Sequence, residues 1–269
     1  MSGALLSAAA AAYAAGLLAS WLHLFSRRRG LATAGLALAA AGFVMHTASY
    51  GLDCAPSHAM VIMTRRGSFS LLALLTVAVM LAVAMRHGMS ILGAFVLPLA
   101  VAGAAAAAAA PDVPPPAAHL HGALFAVHVL TSYLGFAGFA TATGVAAAWL
   151  VQARELKSRR PQAVAYALPP LAELDALAAG LAALSLACLA AGIGTGLLYS
   201  KSESGQWWTN EPKAVATVIS AAIYAAGLGL RQAAGWRGRK TAWLLLAGFA
   251  LVCFTFAGLG HDAATAPIR

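Results

Sequence analysis

The chain has 269 residues, is 61% hydrophobic and only 9% charged, against about 25% charged residues in soluble domains, so it cannot cover a water-facing surface. The formal net charge of +9 does not point to nucleic acid, because most basic residues sit in short clusters between apolar runs, where they set membrane orientation. Cys54, Cys188 and Cys253 are far apart and form no C-x-x-C pair. They suggest neither a thiol–disulfide motif nor a zinc site, and read as small packing residues.

Apolar runs of transmembrane length recur from end to end. Eight spans are expected, at about 3–25, 31–50, 67–86, 89–110, 122–151, 172–198, 212–231 and 241–260. The first is long for a signal-peptide core and ends in Arg27-Arg28-Arg29, so it reads as a helix of the mature protein. Pro111, Pro114, Pro115 and Pro116 make the segment 111–121 a stiff, extended linker. The basic segment 152–171 turns at Pro169-Pro170. Glu173 and Asp175 then fall in the first turn of span six, where carboxylates suit the positive end of the helix dipole. Gly192 and Gly196 form a G-x-x-x-G that lets helices approach. The alternating glycines 192, 194 and 196 follow no strand and are not a phosphate loop. The expected fold is all-α: a polytopic membrane helix bundle of about eight spans in one integral membrane domain, 1–269, whose first four helices occupy 1–110.

Basic residues choose the orientation. With the N-terminus outside, Arg27, Arg28, Arg29, Arg86, Arg154, Lys157, Arg159, Arg160, Arg231, Arg237, Arg239 and Lys240 fall inside. Arg65, Arg66, Lys201, Lys213 and Arg269 fall outside. The positive-inside rule therefore predicts N-out and C-out. Three longer segments, about 51–66, 111–121 and 199–211, then lie outside.

Of the eight histidines, His23 and His87 fall near the inside, and His46, His58, His119, His121, His128 and His261 on or near the outer half. Histidine within a bilayer usually faces a bundle interior or a cavity, and neutral imidazole is the commonest protein ligand for a metal. Two readings stay open for His46 and His128: a bond to another helix's backbone, or a ligand. His261 is either an interfacial residue or a ligand. His119 and His121 read as solvated linker residues and His58 as a loop residue. No H-x-x-x-H or H-E-x-x-H pair is present. Single ligands from separate helices suit a large planar cofactor such as haem, held between two axial imidazoles.

The stretch Gly205-Gln-Trp-Trp-Thr-Asn-Glu-Pro-Lys213 follows span six. Trp207 and Trp208 read either as interfacial belt residues or as aromatic faces for a flat ligand. Glu211 and Pro212 open span seven, a carboxylate at a helix N-terminus followed by the residue suited to the first helical position. The loop is thereby pinned at a fixed depth, with Lys201 and Lys213 at hand for propionates.

This stretch resembles the tryptophan-rich loop of the cytochrome c assembly family of haem-handling membrane proteins, the CcsA and CcmC type, whose usual form is G-R-Y-W-x-W-D-P-K-E. Trp207 takes the Tyr position, Trp208 a Trp position and Glu211 the Asp position, while Pro212 and Lys213 match directly. Asn210 stands in place of a Trp, and Ala214 in place of the Glu after the lysine. His128-Val129 and the helix ending Gln152-Ala-Arg-Glu-Leu-Lys157 are similar to the family helix that bears an outer haem-ligand histidine. Leu168-Pro-Pro170 with Leu174-Asp175 resembles the start of the next span. Gly235-Trp-Arg-Gly-Arg-Lys240 and Gly248 to Phe256 resemble the last loop and helix. The likeness covers about 121–260, and the eight-span count suits the HemX-like and YpjD-like branch.

The resemblance implies a multi-pass protein of the bacterial inner membrane that binds haem, supports cytochrome c assembly at the extracytoplasmic face, and is not itself an enzyme. His128 would be an axial ligand, with His261 carried over from its position, and Trp207, Trp208 and Glu211 would form the platform. His46 is a further cofactor-binding candidate from its place in the outer half of span two. Expected partners are haem, other cytochrome c assembly or respiratory membrane proteins and the lipid bilayer, with no nucleic acid. The alternative is a non-haem membrane scaffold or regulator, HemX-like, linked to haem biosynthesis or respiratory assembly.

Overall fold

The structure is a computed structural model and describes residues 2–26, 28–57, 60–111, 122–158, 168–208 and 211–258. His58, His119, His121 and His261 lie outside these residues. The described residues form eight α-helices: α1 (Ser2–Ser26), α2 (Arg29–Ser57), α3 (Arg65–His87), α4 (Gly93–Ala109), α5 (Ala123–Leu156), α6 (Leu171–Ser204), α7 (Pro212–Ala233) and α8 (Arg239–Gly258). Short 3-10 turns, Met60–Met63 and Ser90–Leu92, lead into α3 and α4. Seven of the helices are long and apolar enough to cross a membrane, and α8 runs to the edge of the described residues. Large apolar side chains such as Leu18, Leu22, Val44 and Leu184 stay exposed on the outside of the bundle. In a soluble protein such faces would drive association; here they meet lipid. This is an all-α, multi-pass membrane protein.

Helix ends follow local chemistry as well as hydropathy. Thr64 caps α3 by accepting a hydrogen bond from the Gly67 N–H at 3.0 Å. Gly88, at φ 64°, ends α3 in the left-handed conformation. Three helices outrun their apolar cores. α2 continues to Ser57 through what the sequence suggests is a loop, and Asp53 on the overhang pairs with Arg66 at 3.8 Å. α5 runs on to Leu156. α6 runs on to Ser204, with the Ser204 hydroxyl donating back to the Ser200 carbonyl at 2.8 Å, and stops at Gly205, φ 73°.

The pair α5–α6 is the most extensive helix contact, followed by α1–α2. α3 and α4 join the first four helices to α5, and α8 packs on α5 and α7. Small residues permit the α5–α6 seam: Gly135 faces Leu189 and Ser185, so closely that an added Cβ would lie 3.0 Å from the Ser185 carbonyl. Behind it, Phe139 of α5 stacks on Tyr224 of α7 with ring centres 3.6 Å apart, and the buried Tyr224 hydroxyl donates to the Leu245 carbonyl of α8 at 3.3 Å.

At the end of the bundle holding the α7–α8 loop, Asp175 of α6 ties three elements together. Its carboxylate accepts two bonds from Arg231 of α7, at 3.0 and 2.7 Å, and one from the Gly238 N–H at 2.7 Å. The sequence suggests only a dipole role for this carboxylate.

Candidate functional site

The N-terminal end of α5, the C-terminal end of α6 and the first turns of α7 enclose a cavity of about 570 Å³, within the usual range for small-molecule and cofactor sites. His128, Trp207, Trp208, Glu211 and Lys213 all line it. Five positions singled out in the sequence, from three elements, thus meet at one place.

His128 sits in the second turn of α5 and crosses the seam to α6. Its Nδ1 lies 2.7 Å from the Gly192 carbonyl oxygen. A carbonyl can only accept, so a neutral imidazole carries its proton on Nδ1 and keeps the lone pair on Nε2. The backbone reading of this histidine holds at Nδ1, and that bond leaves the lone pair of a neutral ring on Nε2. Such a bond on the second nitrogen is how metal-ligating histidines are oriented. The ring lies against bare backbone at Gly196, where an added Cβ would be 2.7 Å from Cε1 and 2.8 Å from Nδ1. The G-x-x-x-G thus serves the imidazole: Gly192 offers the acceptor and Gly196 the room.

The tryptophan loop is held from below by the overhang of α6. Gly205 closes the helix with its N–H on the Lys201 carbonyl at 3.2 Å. Lys201 Nζ donates to the Gly205 carbonyl at 2.7 Å and stands 5.8 Å from the centre of the Trp207 ring, a cation–π contact. The Ser200 hydroxyl donates to the Gln206 carbonyl at 2.9 Å. Both indoles are left open, Trp207 at 56% and Trp208 at 39% exposure. Glu211 takes the N-cap position of α7 but makes no side-chain cap bond; its backbone carbonyl accepts from the Val215 N–H at 3.1 Å. Its carboxylate is not consumed by the helix start.

Residues that sequence reasoning passed over complete the walls. Phe125, Ser132, Tyr133 and Phe136 continue the His128 face of α5, and Ile193, Tyr199 and Glu203 continue the facing side of α6. These follow helical spacing, so extending the period from His128 and Gly196 finds most of them. Phe125 and Tyr199 tilt together, ring centres 5.3 Å apart. The Tyr199 hydroxyl is buried and has no hydrogen-bond partner among the described residues. Ile62, from the turn before α3, also lines the cavity, and its carbonyl accepts from Ser68 at 2.7 Å. The turn between α2 and α3 thus contributes to the wall.

His46 does not join this group. It is fully buried between α1, α2 and α3, with the Tyr13 hydroxyl 3.2 Å from Nδ1 and the Ser70 hydroxyl 2.8 Å from Nε2. Both ring nitrogens are occupied within the first four helices.

Comparison with known proteins agrees with this architecture. Residues 63–260 match the model of the family described as cytochrome C assembly protein. Over 87 residues the chain is 34% identical to the cytochrome c biogenesis protein CcsA of Prochlorococcus marinus subsp. pastoris, covering 32% of this chain and 28% of that protein. It is 29% identical over 133 residues to an uncharacterized 28.8 kDa protein of Azospirillum brasilense, covering 49% of each. Among solved structures it superposes on the cytochrome c heme lyase CcmF with a TM-score of 0.65 at 18% identity, covering all of this chain and 52% of that one. The matches span about half or less of those relatives. That structural likeness carries the fold, whereas the family match covers most of the chain. The chain belongs to the cytochrome c assembly protein family.

Proposed function

We propose that this protein binds haem in the cavity between α5, α6 and α7 and presents it at the extracytoplasmic face of a bacterial inner membrane in support of cytochrome c assembly. The observation that carries the reading is the pairing of an oriented imidazole with open indoles in one cavity: His128, its Nδ1 on the Gly192 carbonyl, and Trp207 with Trp208. Haem supplies an iron that accepts an axial nitrogen and an edge with two carboxylates. His128 offers Nε2 to that iron. The indoles offer flat apolar faces, and the orphaned Tyr199 hydroxyl offers a donor. Lys201 and Lys213 bring positive charge to the mouth for the carboxylates. His261 would be a second haem ligand, carried over from its place in the sequence. In this reading the chain holds and orients haem, and partner assembly proteins do the covalent chemistry. The eight helices of the described residues suit the HemX-like and YpjD-like branch, and the basic-residue bias supports an N-out, C-out topology.

The test is the absorbance spectrum of the detergent-purified full chain, as isolated and after adding haemin. A Soret band that is lost in His128→Ala, and lost or shifted in the Trp207→Leu/Trp208→Leu double variant, is expected. A protein that stays colourless with haemin overturns the proposal. If the double tryptophan variant loses a co-purifying partner with no spectral consequence, the non-haem scaffold reading takes its place.

A further inference from the structure

A second concavity lies at the other end of α7, in the short loop to α8. It is lined by Gly235, Trp236, Arg237, Arg239, Lys240 and Trp243. α7 has 22 residues, so the two concavities are about 30 Å apart along its axis, close to the thickness of a bilayer core. One therefore faces each leaflet.

The loop is a held frame. Gly235 and Gly238 adopt φ 64° and 61°, in the left-handed region that other residues avoid. Gly238 is fixed twice. Its N–H donates to Asp175, and its Cα rests on the Trp149 ring, where a Cβ would lie 2.7 Å from the indole. Asp175 is in turn saturated by Arg231. The nearby carboxylate is thus consumed, and among the described residues Arg237, Arg239 and Lys240 have no acidic partner. Three cations held side by side with no counter-charge attract an anion.

The aromatic residues decide which kind. Lys240 Nζ stands 5.2 Å from the centre of the Trp236 ring, and Trp243, one turn further along α8, is 53% exposed. A soluble phosphate has no use for exposed indoles. A phospholipid does: its phosphate meets the cations while its glycerol and upper acyl segment lie along the indoles, and Trp prefers that depth. Basic pockets at helix ends are suited to acidic head groups.

We propose that the α7–α8 loop is a headgroup site for an anionic phospholipid of the leaflet opposite the tryptophan cavity. This inference does not depend on haem.

The experiment is native mass spectrometry of the detergent-solubilised full chain titrated with dioleoylphosphatidylglycerol or dioleoylphosphatidylcholine. The wild type is expected to retain the anionic lipid at least tenfold better than the zwitterionic one. Each basic residue near an acidic lipid surface contributes roughly a fivefold gain, so Arg237→Gln/Arg239→Gln/Lys240→Gln should abolish the preference. Arg237→Lys/Arg239→Lys should keep it. Arg28→Gln/Arg86→Gln, which removes cations from other loops on the same side, should also keep it. Should the triple variant fail to fold by circular dichroism, Arg237→Gln and Lys240→Gln singly carry the test, each with a preference reduced roughly fivefold. Equal retention of both lipids overturns the proposal, as does the same loss in Arg28→Gln/Arg86→Gln. Displacement of the bound lipid by inorganic phosphate at millimolar concentration also overturns it, in favour of a soluble anion.

Discussion

The imidazole of His128 and the carbonyl of Gly192 meet at 2.7 Å across the seam between the two longest helices of the bundle. The contact fixes which ring nitrogen carries the proton, and it requires a residue without a side chain one turn later, at Gly196.

That requirement is testable with a single methyl group. Gly196→Ala places a Cβ 2.7 Å from the ring and must displace it. If His128 ligates haem as proposed, haemin affinity should fall roughly tenfold or more, the order lost when the support of a metal ligand is disturbed. Gly194→Ala meets open space. It should leave the spectrum intact and stabilise the helix by up to about 1 kcal/mol. Haemin titration followed at the Soret band, with thermal unfolding in detergent, checks both.

Tyr199 makes a second case. Its hydroxyl is buried and unpartnered among the described residues, a state that costs on the order of 1–3 kcal/mol. Tyr199→Phe should therefore leave the haem-free protein equally stable or raise its unfolding temperature. If the hydroxyl serves the ligand, the same variant should bind haemin several-fold more weakly. The opposite signs separate a binding role from a packing role.

Glu211 is expected to matter little for folding. It stands at the N-cap of α7 without a side-chain cap bond, so Glu211→Gln should cost less than about 1 kcal/mol. A change in haemin affinity without a change in melting temperature would place its carboxylate at the ligand.

The Asp175–Arg231 pair should behave otherwise. Their side chains are 12% and 18% exposed and joined by two hydrogen bonds. Asp175→Asn leaves a largely buried guanidinium short of its counter-charge and frees the α7–α8 loop. It should cost about 2–4 kcal/mol, somewhat below the fully buried case. Asp175→Leu/Arg231→Met should recover much of this, because replacing both partners removes the uncompensated charge. Thermal unfolding of the three proteins in one detergent checks the sign.

Helix count, helix order and the meeting of His128 with the tryptophan loop were legible in the sequence because membrane spans follow from hydropathy and the loop follows from a local motif. Helix ends were less legible. α2 and α6 overrun their apolar cores where polar contacts hold the overhang, the Asp53–Arg66 pair on α2 and the Lys201 and Ser200 bonds to the Gly205 and Gln206 carbonyls on α6, and hydropathy is blind to those. The roles of Gly192 and Gly196 were half visible: the spacing indicated close approach, but a carbonyl offered to an imidazole depends on the rotation of one helix about its axis. The sequence shows only a dipole role for Asp175 because its partners, Arg231 and the Gly238 N–H, are 56 and 63 residues away. Depth in the membrane is all that singles out His46 in the sequence, and depth carries no information about the hydroxyls of Tyr13 and Ser70 that surround it.

α5 and α6 each have 34 residues, a length of about 50 Å against roughly 30 Å of hydrocarbon. Something like four turns per helix must therefore project into headgroups and water or be taken up by tilt. The overhang of α6 is what carries Tyr199, Glu203 and the base of the tryptophan loop. On the proposed topology the lipid–water boundary would cross the cavity along its height, with its floor toward oil and its rim toward buffer. Such a cavity would suit the ligand proposed above, with its flat apolar body toward the floor and its acidic margin toward the rim.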